Sequence, residues 1–320
     1  MSQDKTLACM LAALLLLCPG CQRGDNGRKI SAISGYNDVD MMTERVGMEE
    51  TAYREHLDLS FNGTTTRDAQ RQVELVEAAI QARRYGIALN AASPVAVNAA
   101  VHNALVQGIP VVILLHPILM QPSPHLHMVL EDPGAGAQLV TERLNTLTHG
   151  RGEVAVFGLN PLYMGSAERF QGMKLALRRD APRMQVHDEQ PSAFGNGYLE
   201  IAAEELVTAH LQLSAVVALN VESGLAAVAA VRAAHKQDQI RVIVFDASLQ
   251  IFHLLRAGEV DSIVAQDARG MGARAVMDIL DDHRGKPAAG PVYLKPRLIT
   301  RALIDHEDVQ QFLLMKWRRP

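Results

Sequence analysis

Short runs of β-branched and other apolar residues alternate with longer amphipathic stretches from Lys29 onward, and this alternation restricts the possible folds most strongly. Strands that alternate with helices usually pair in parallel, because each helix returns the chain to the same end of the sheet. We therefore predict an α/β fold with mainly parallel sheets. The predicted strands span residues 29–34, 56–61, 86–90, 111–115, 128–131, 153–158, 184–188, 215–220, 241–246 and 262–266.

The stretch at 67–84 illustrates the helices that should cover these sheets. It places Ala69, Val73, Val76 and Ile80 at helical spacing on one face, with Arg, Gln and Glu on the opposite face. The strands fall into two successive sets of five, and the chain is longer than one core usually supports. We predict two doubly wound lobes with parallel sheets, in which a ligand binds beyond the carboxyl ends of the strands.

The N-terminal residues predict export. The apolar run at 7–17 is too short to span a bilayer and is placed like the centre of a signal peptide, which we assign to residues 1–20. Cys21 follows a small residue and resembles the lipidated cysteine of a bacterial lipoprotein, with 21–28 as a polar tether. The simpler alternative is an ordinary signal peptide that is cleaved nearby.

Composition excludes several function classes. The three cysteines, Cys9, Cys18 and Cys21, all lie at or before the predicted cleavage site, so disulfides, thiolate metal sites and cysteine nucleophiles are not expected in the folded part. A net charge of −4 and an aromatic content of 4% argue against nucleic acid as a partner. The sequence contains neither a phosphate loop nor a nucleophile elbow. We therefore predict a protein that is not an enzyme and uses no cofactor.

Several motifs occur together in the order and spacing of one family. They are GIPVV at 108–112, SAERFQG at 166–172, LN at 219–220, VFDAS at 244–248 and VAQ at 264–266. This set resembles the type 1 periplasmic binding proteins, in particular the ribose- and galactose-binding branch, over residues 29 to about 304. The resemblance implies two lobes whose hinge closes on a ligand.

The resemblance also implies that the chain crosses between the lobes three times, near residues 131–133, 266–268 and 291. The N-terminal lobe would then contain 29–131 and 267–290. The C-terminal lobe would contain 132–266 and 291–304, and 305–320 would form a C-terminal extension. We expect the amphipathic stretch in this extension to pack on a lobe rather than to touch a membrane.

Five candidate ligand residues come from the resemblance. Arg169 would donate to hydroxyls, and Asp246 would accept from them and pair with a cation such as Arg169. Asn220 and Gln266 would use their amides, and Phe194 would stack on a sugar face. The simpler alternatives are, in the same order, a solvated helix arginine, a helix N-cap, a turn residue, a hinge hydrogen bond and a core phenylalanine.

The N-terminal half of the implied site departs from the family. Asn37 matches an asparagine of the family, but Val39 and Asp40 stand where the family has two phenylalanines. Leu115 stands where the family has an aspartate, and His116 follows it. Asp40 and His116 either read a different sugar or are exposed loop residues.

The histidines His116, His125 and His127 fall in one proline-rich segment. A metal site is conceivable there, but no carboxylate or thiol stands at ligand spacing, so we predict solvated loop histidines and no metal site.

Together these features predict a monomeric solute-binding lipoprotein, held by its lipid at a membrane in the periplasm or at the cell surface. It would capture a small polar ligand, most simply a monosaccharide, and deliver it to the permease of an ABC-type transporter. The alternative is a sensing protein that signals to a membrane receptor or kinase without transport.

Overall fold

The computed structural model of the protein describes residues 27–35, 39–64, 68–159, 164–188 and 197–313. Within these ranges the chain forms two α/β lobes. Each lobe is built on a six-stranded sheet. The strands are β1 (Lys29–Ser34), β2 (Asp58–Gly63), β3 (Gly86–Asn90), β4 (Val111–Leu115), β5 (Leu126–Glu131), β6 (Gly152–Phe157), β7 (Met184–His187), β8 (Leu213–Ala218), β9 (Arg241–Phe245), β10 (Ser262–Ala265), β11 (Val292–Leu294) and β12 (Arg297–Thr300).

The helices lie between consecutive strands and cover both faces of each sheet. They are α1 (Val39–Arg54), α2 (Ala69–Gln81), α3 (Asn98–Val106), α4 (Pro133–Thr148), α5 (Met164–Asp180), α6 (Tyr198–Ala209), α7 (Val221–Ala233), α8 (Leu249–Ala257), α9 (Ala268–His283) and α10 (Glu307–Phe312).

The two sheets repeat one strand order. The first sheet runs β11-β5-β4-β3-β1-β2 and the second β12-β10-β9-β8-β6-β7. All pairings are parallel except the antiparallel pairing of β10 with β12. In each sheet the winding direction reverses beside the first strand, so both lobes are doubly wound, as predicted. This reversal opens a crevice at the carboxyl ends of the strands, where ligands bind in folds of this kind.

The central strands read as continuous apolar runs because helices bury both of their faces. β3 and β4 are fully buried and match the predicted bounds, 86–90 and 111–115. Alternate residues of the first sheet pack in two clusters, one under α1 and α9 and the other under α2 and α3. Burying each such Val, Leu or Ile side chain contributes about 1.5–3 kcal/mol.

Two boundaries differ from the sequence predictions for local reasons. β2 starts at Asp58 rather than at residue 56, because His56 has a positive φ of 54° and lies in the turn before the strand. The helix predicted at 67–84 is α2, which starts one residue after its N-cap Asp68 and ends at Gln81. Gln72 on its buried face donates to the carbonyl of Asn90, a hydrogen bond that the apolar pattern does not reveal.

The last crossing between the lobes lies further along the chain than the sequence predicted. β11 pairs in parallel with β5, so Val292–Leu294 belongs to the first sheet, whereas β12 pairs with β10 in the second. The prediction that the chain enters the second lobe near residue 291 is therefore wrong. The chain crosses at Lys295 and Pro296. A three-residue strand at a sheet edge carries too little pattern to be recognised in the sequence.

The described part of the C-terminal extension packs on the second lobe. Val309, Phe312 and Leu313 are buried in its apolar cluster, and the guanidinium carbon of Arg297 lies 4.5 Å from the ring centroid of Phe312. This agrees with the expectation of packing. Within the described ranges, no helix is both long and apolar enough to cross a bilayer.

Candidate functional site

Arg169 stands at the centre of the strand-end crevice, in the second turn of α5. Only 2% of its side chain is exposed. Its guanidinium pairs with two carboxylates at once. Nε and Nη2 donate to Glu131 at 3.0 and 2.6 Å, and Nη1 and Nη2 each donate to Asp246 at 2.6 Å. The predicted pairing of Asp246 with Arg169 is therefore present.

The remaining N–H group of Arg169 donates to the carbonyl of Leu219 at 2.9 Å. A guanidinium carries five N–H groups in a planar fork, and here all five donate to acceptors of the protein. One face of the fork also lies 5.2 Å from the ring centroid of Phe245. The arginine thus holds together two strand ends of the second lobe and the first crossing between the lobes.

The charges in this cluster shift one another's protonation. Burial alone disfavours the charged guanidinium, but Asp246 and Glu131 outweigh it and raise the pKa of Arg169 well above its usual value. Burial raises the pKa of Glu131 to about 7, against the lowering effect of Arg169. Burial likewise raises the pKa of Glu168, the residue before Arg169. Glu131 was not identified as a site residue from the sequence, which marks only a strand end there.

Asp246 directly follows β9 and presents its carboxylate at the crevice, with 21% of the side chain exposed. Its φ is +69°, a left-handed conformation that Asp and Asn tolerate better than most residues. Leu115 ends β4, the strand at the same position of the first sheet, and also has a φ of +69°. A leucine there costs about 1–2 kcal/mol of backbone strain. The backbone at Leu115 therefore has a shape that suits aspartate, the residue that the family resemblance implies at this position.

Asn220 caps α7. Its Oδ1 accepts from the backbone N–H of Ser223 at 2.8 Å, and its Nδ2 donates to the carbonyl of Gly158 at 3.0 Å. A Cβ atom on Gly158 would lie 2.3 Å from the side chain of Ser223, so this close approach requires glycine. The amide keeps one N–H and one lone pair that these two bonds do not use. The cap does not prevent the predicted ligand role, which remains a prediction.

Gln266 lies at the second crossing and is buried. Its Oε1 accepts no hydrogen bond from the described residues. A buried amide oxygen without a donor costs free energy unless a water or ligand supplies one. This acceptor is compatible with the predicted contact between Gln266 and a ligand.

His116 follows β4 of the first lobe and lies against α5 of the second lobe. Its Nδ1 lies 3.8 Å from Oε1 of Glu131, and a Cβ atom added to Gly165 of α5 would lie 2.0 Å from its ring. Asp40, in the first turn of α1, is buried, and its neighbour Val39 belongs to the apolar cluster of the second lobe. Neither Asp40 nor His116 is an exposed loop residue, so that alternative is wrong.

Of the other two histidines, His125 is exposed in a turn, as predicted, and His127 is not. His127 lies in β5 and is buried, and its Nε2 lies 3.0 Å from Oδ2 of Asp282 on α9. His125 contacts the same carboxylate at 3.0 Å. The expectation of solvated loop histidines is wrong for His127, because its segment continues the strand that was predicted to begin at Met128.

A cavity of about 280 Å³ lies in the first lobe, between α1 and the face of β1–β3. Glu44 and Asn90 are buried in its wall and bond to each other, with Nδ2 of Asn90 3.2 Å from the Glu44 carboxylate. Arg45 lies over the ring of Phe61 at its outer rim. None of the predicted ligand residues that the structure describes lines this space.

Three predicted residues lie outside the described residues. They are Asn37 and Phe194 of the ligand site and Cys21, the predicted lipidation site. Their roles stay predictions from the sequence. The structure brings together Arg169 and Asp246, places Asn220 and Gln266 after the two strands that flank β9, and places His116 near Glu131.

The family described as "Periplasmic binding protein domain" matches residues 32–287. A search of curated proteins gave no match. Among solved structures, an ABC transporter solute-binding protein from Agrobacterium vitis bound with α-D-tagatopyranose is 20% identical, with a TM-score of 0.78 over 89% of this chain and 98% of that one. A sugar-binding protein of a sugar ABC transporter from Bacillus halodurans is 21% identical, with a TM-score of 0.79 over 87% and 99%.

An arabinose-binding protein from Geobacillus stearothermophilus is 22% identical to this chain, with a TM-score of 0.77 over 87% of this chain and 98% of that one. At such identities the structural matches establish the fold, which is the two-lobed fold that the sequence predicted. The family match covers most of the chain, including β1 to α9 and the strand ends that carry Arg169 and Asp246. The chain belongs to the family of periplasmic binding protein domains.

Proposed function

We propose that this protein is a solute-binding protein that captures a monosaccharide between its lobes and delivers it to an ABC-type sugar transporter. The observation that carries the proposal is the Arg169–Asp246 pair, held rigid at the strand ends where the lobes meet. A fixed carboxylate at the mouth of such a crevice accepts hydroxyl protons from a sugar without having to be reoriented. Three solved structures of this fold are described as sugar-binding or sugar-bound proteins.

Arg169 acts in this proposal as a positioning residue. Both oxygens of Asp246 accept from it, and carboxylate oxygens have further lone pairs that can accept from ligand hydroxyls. Asn220 and Gln266 would add amide groups at the adjacent strand ends. Phe194 and Asn37 would complete the site from the second and first lobes.

Closure would use the crossings between the lobes. Glu131 ends β5 at the first crossing, and Asp132 caps α4 directly after it by accepting from the N–H of Ala135 at 2.9 Å. Because Arg169 bonds to Glu131, the binding site is linked to the segment that must bend. Ligand binding would favour the closed arrangement of the lobes, and the permease would recognise that arrangement.

The location follows from the N-terminal sequence. A signal peptide at 1–20 and a lipid on Cys21 would place the protein outside the cytoplasm and tether it to a membrane. Its partner would be the permease of the transporter. Labelling of cells with a radioactive fatty acid tests the anchor, because Cys21→Ser should lose the label and appear in the soluble fraction.

A thermal-shift screen of the purified protein against monosaccharides and polyols tests the binding function. A ligand that binds only the folded state raises its stability according to its concentration and Kd, about 2.7 kcal/mol at one hundred times Kd. We expect one or more sugars to raise the Tm and to give a saturable calorimetric titration. A complete absence of shifts across the panel would contradict sugar binding.

A further inference from the structure

Carboxylates outnumber cations where the lobes meet. Arg169 faces Glu131 and Asp246 directly, and Glu168, the preceding residue of the same helix, lies near Glu131. Carboxylate oxygens of Glu131 and Glu168 lie with a ring nitrogen of His116 within 4.8 Å of one another. One guanidinium therefore meets three carboxylates in a largely buried setting.

Arg169 cannot supply hydrogen-bond donors to a ligand without losing bonds that it already makes, because all five of its N–H groups donate within the protein. The groups that remain near the crevice are largely acceptors. They include the further lone pairs of Asp246, the carboxylate of Glu168 and the buried Oε1 of Gln266. Apart from the N–H that Asn220 keeps, these groups accept hydrogen bonds, so a ligand that fits this site has to bring most of the donors.

The sequence that follows each strand of the site adds no lysine or arginine charge to the site. The segments at 35–38, 116–125, 158–163, 188–197 and 246–248 contain neither lysine nor arginine, and three of them contain acidic residues. Burying a charge without a partner is costly, and this cost grows when a closing cleft excludes water. The excess of negative charge persists even when one carboxyl group carries a proton, since two carboxylates still face one guanidinium.

We propose that the captured monosaccharide carries a basic amino group, and that its ammonium ion donates to Asp246 and Glu168. This inference rests on the proposed function and narrows its ligand class to amino sugars. An ammonium brings both properties that the site lacks, a positive charge and three N–H donors. The ring hydroxyls would use Gln266 and Asn220.

A bound divalent cation would balance the same charge, but the geometry favours the ammonium. Both oxygens of Glu131 already accept from Arg169, at 3.0 and 2.6 Å. A metal coordinated by Glu131 would sit close to a fixed guanidinium charge, and the repulsion would weaken binding. An ammonium that binds Asp246 also lies near Arg169, which bonds both oxygens of that carboxylate. It carries half the charge of a divalent metal, so the repulsion is smaller.

Isothermal titration of the purified chain with EDTA present tests this inference. The probes are D-glucosamine, D-galactosamine and D-mannosamine, each beside its parent hexose and its N-acetylated form, which has the same ring but no charge. We expect at least one amino sugar to bind about tenfold or more tightly than both of its uncharged counterparts. Glu168→Gln should weaken that amino sugar about tenfold and change the parent hexose less than twofold.

Glu142→Gln is the matched control, because it removes one charge from an exposed position of α4 and should leave both affinities unchanged. If a neutral hexose binds as tightly as its amino form, the inference is wrong and the proposed function stands. Binding that appears only when a divalent metal replaces EDTA also overturns it. If no sugar of any kind binds, both the inference and the proposed function fail.

Discussion

Replacing Arg169 with methionine tests whether the buried arginine holds the site together. The change keeps most of the side-chain volume but removes the partner of Glu131 and Asp246, which Arg169 binds through four of its five N–H groups. Breaking a buried ion pair by removing one partner costs about 3–5 kcal/mol, because the remaining charge is uncompensated. We expect Arg169→Met to lower the free energy of unfolding by this amount at pH 7.5.

The measurement is urea unfolding followed by far-UV circular dichroism. Arg143→Met is the matched control, because Arg143 also makes a two-bond pair with a carboxylate, Asp261, but 25% of its side chain is exposed. Pairs that are partly exposed contribute about 1 kcal/mol or less. A triple variant that also carries Glu131→Gln and Asp246→Asn should recover at least half of the loss, since no charge is then left unpaired.

The pH dependence of this loss separates charge from packing. In Arg169→Met the two freed carboxyl groups should take up protons on acidification, so the destabilisation should shrink from pH 7.5 to pH 5. A loss that is independent of pH, or one no larger than that of Arg143→Met, would refute the assignment of Arg169 as the buried charge centre.

Three further predictions follow from the same region. Gly165→Ala should lower the free energy of unfolding by about 1–3 kcal/mol, because its Cβ meets the ring of His116. The double variant with His116→Ala should recover most of this loss in urea unfolding, and an equal loss in both variants would contradict the steric explanation. The pKa of Glu131 is raised from 4.5 to about 7, so its protonation stabilises the fold fully below pH 4.5, and this contribution is lost as pH rises through 7. The free energy of unfolding of the wild type should therefore fall relative to that of Glu131→Gln between pH 5 and 8. Parallel curves of unfolding free energy against pH would contradict this. Asn220→Ser should keep the cap of α7 and the Tm but lower sugar affinity, and an unchanged Kd would assign Asn220 to capping alone.

The fold could be predicted because the alternation of apolar strands with amphipathic helices recurs along the chain. Buried parallel strands such as Ile87–Leu89 and Val111–Leu115 are apolar along their whole length, and nine of the ten predicted strands are followed by a helix. The short strands β11 and β12 were missed because three or four half-buried residues at a sheet edge carry no distinctive period. Their pairings depend on the crossing between the lobes, which is a tertiary feature.

The site was predictable only in its second lobe. Asp246 directly follows an apolar strand and Arg169 lies in a recognisable helix motif, so their pairing could be anticipated. The role of Glu131 could not, because a glutamate at a strand end looks like an exposed residue until the first crossing brings it against Arg169. The burial of Asp40 and the contact between His116 and Gly165 depend in the same way on how the lobes meet.

The most direct test of sugar capture at this crevice is calorimetric titration of Asp246→Asn with the sugar that gives the largest thermal shift. Asparagine tolerates the left-handed backbone at this position, where φ is +69°, so the fold should be preserved. Hydrogen bonds to charged groups contribute about 1.5–3 kcal/mol, and the loss of the carboxylate should therefore raise the Kd at least tenfold. An unchanged Kd in a variant with a normal Tm would show that the ligand binds elsewhere.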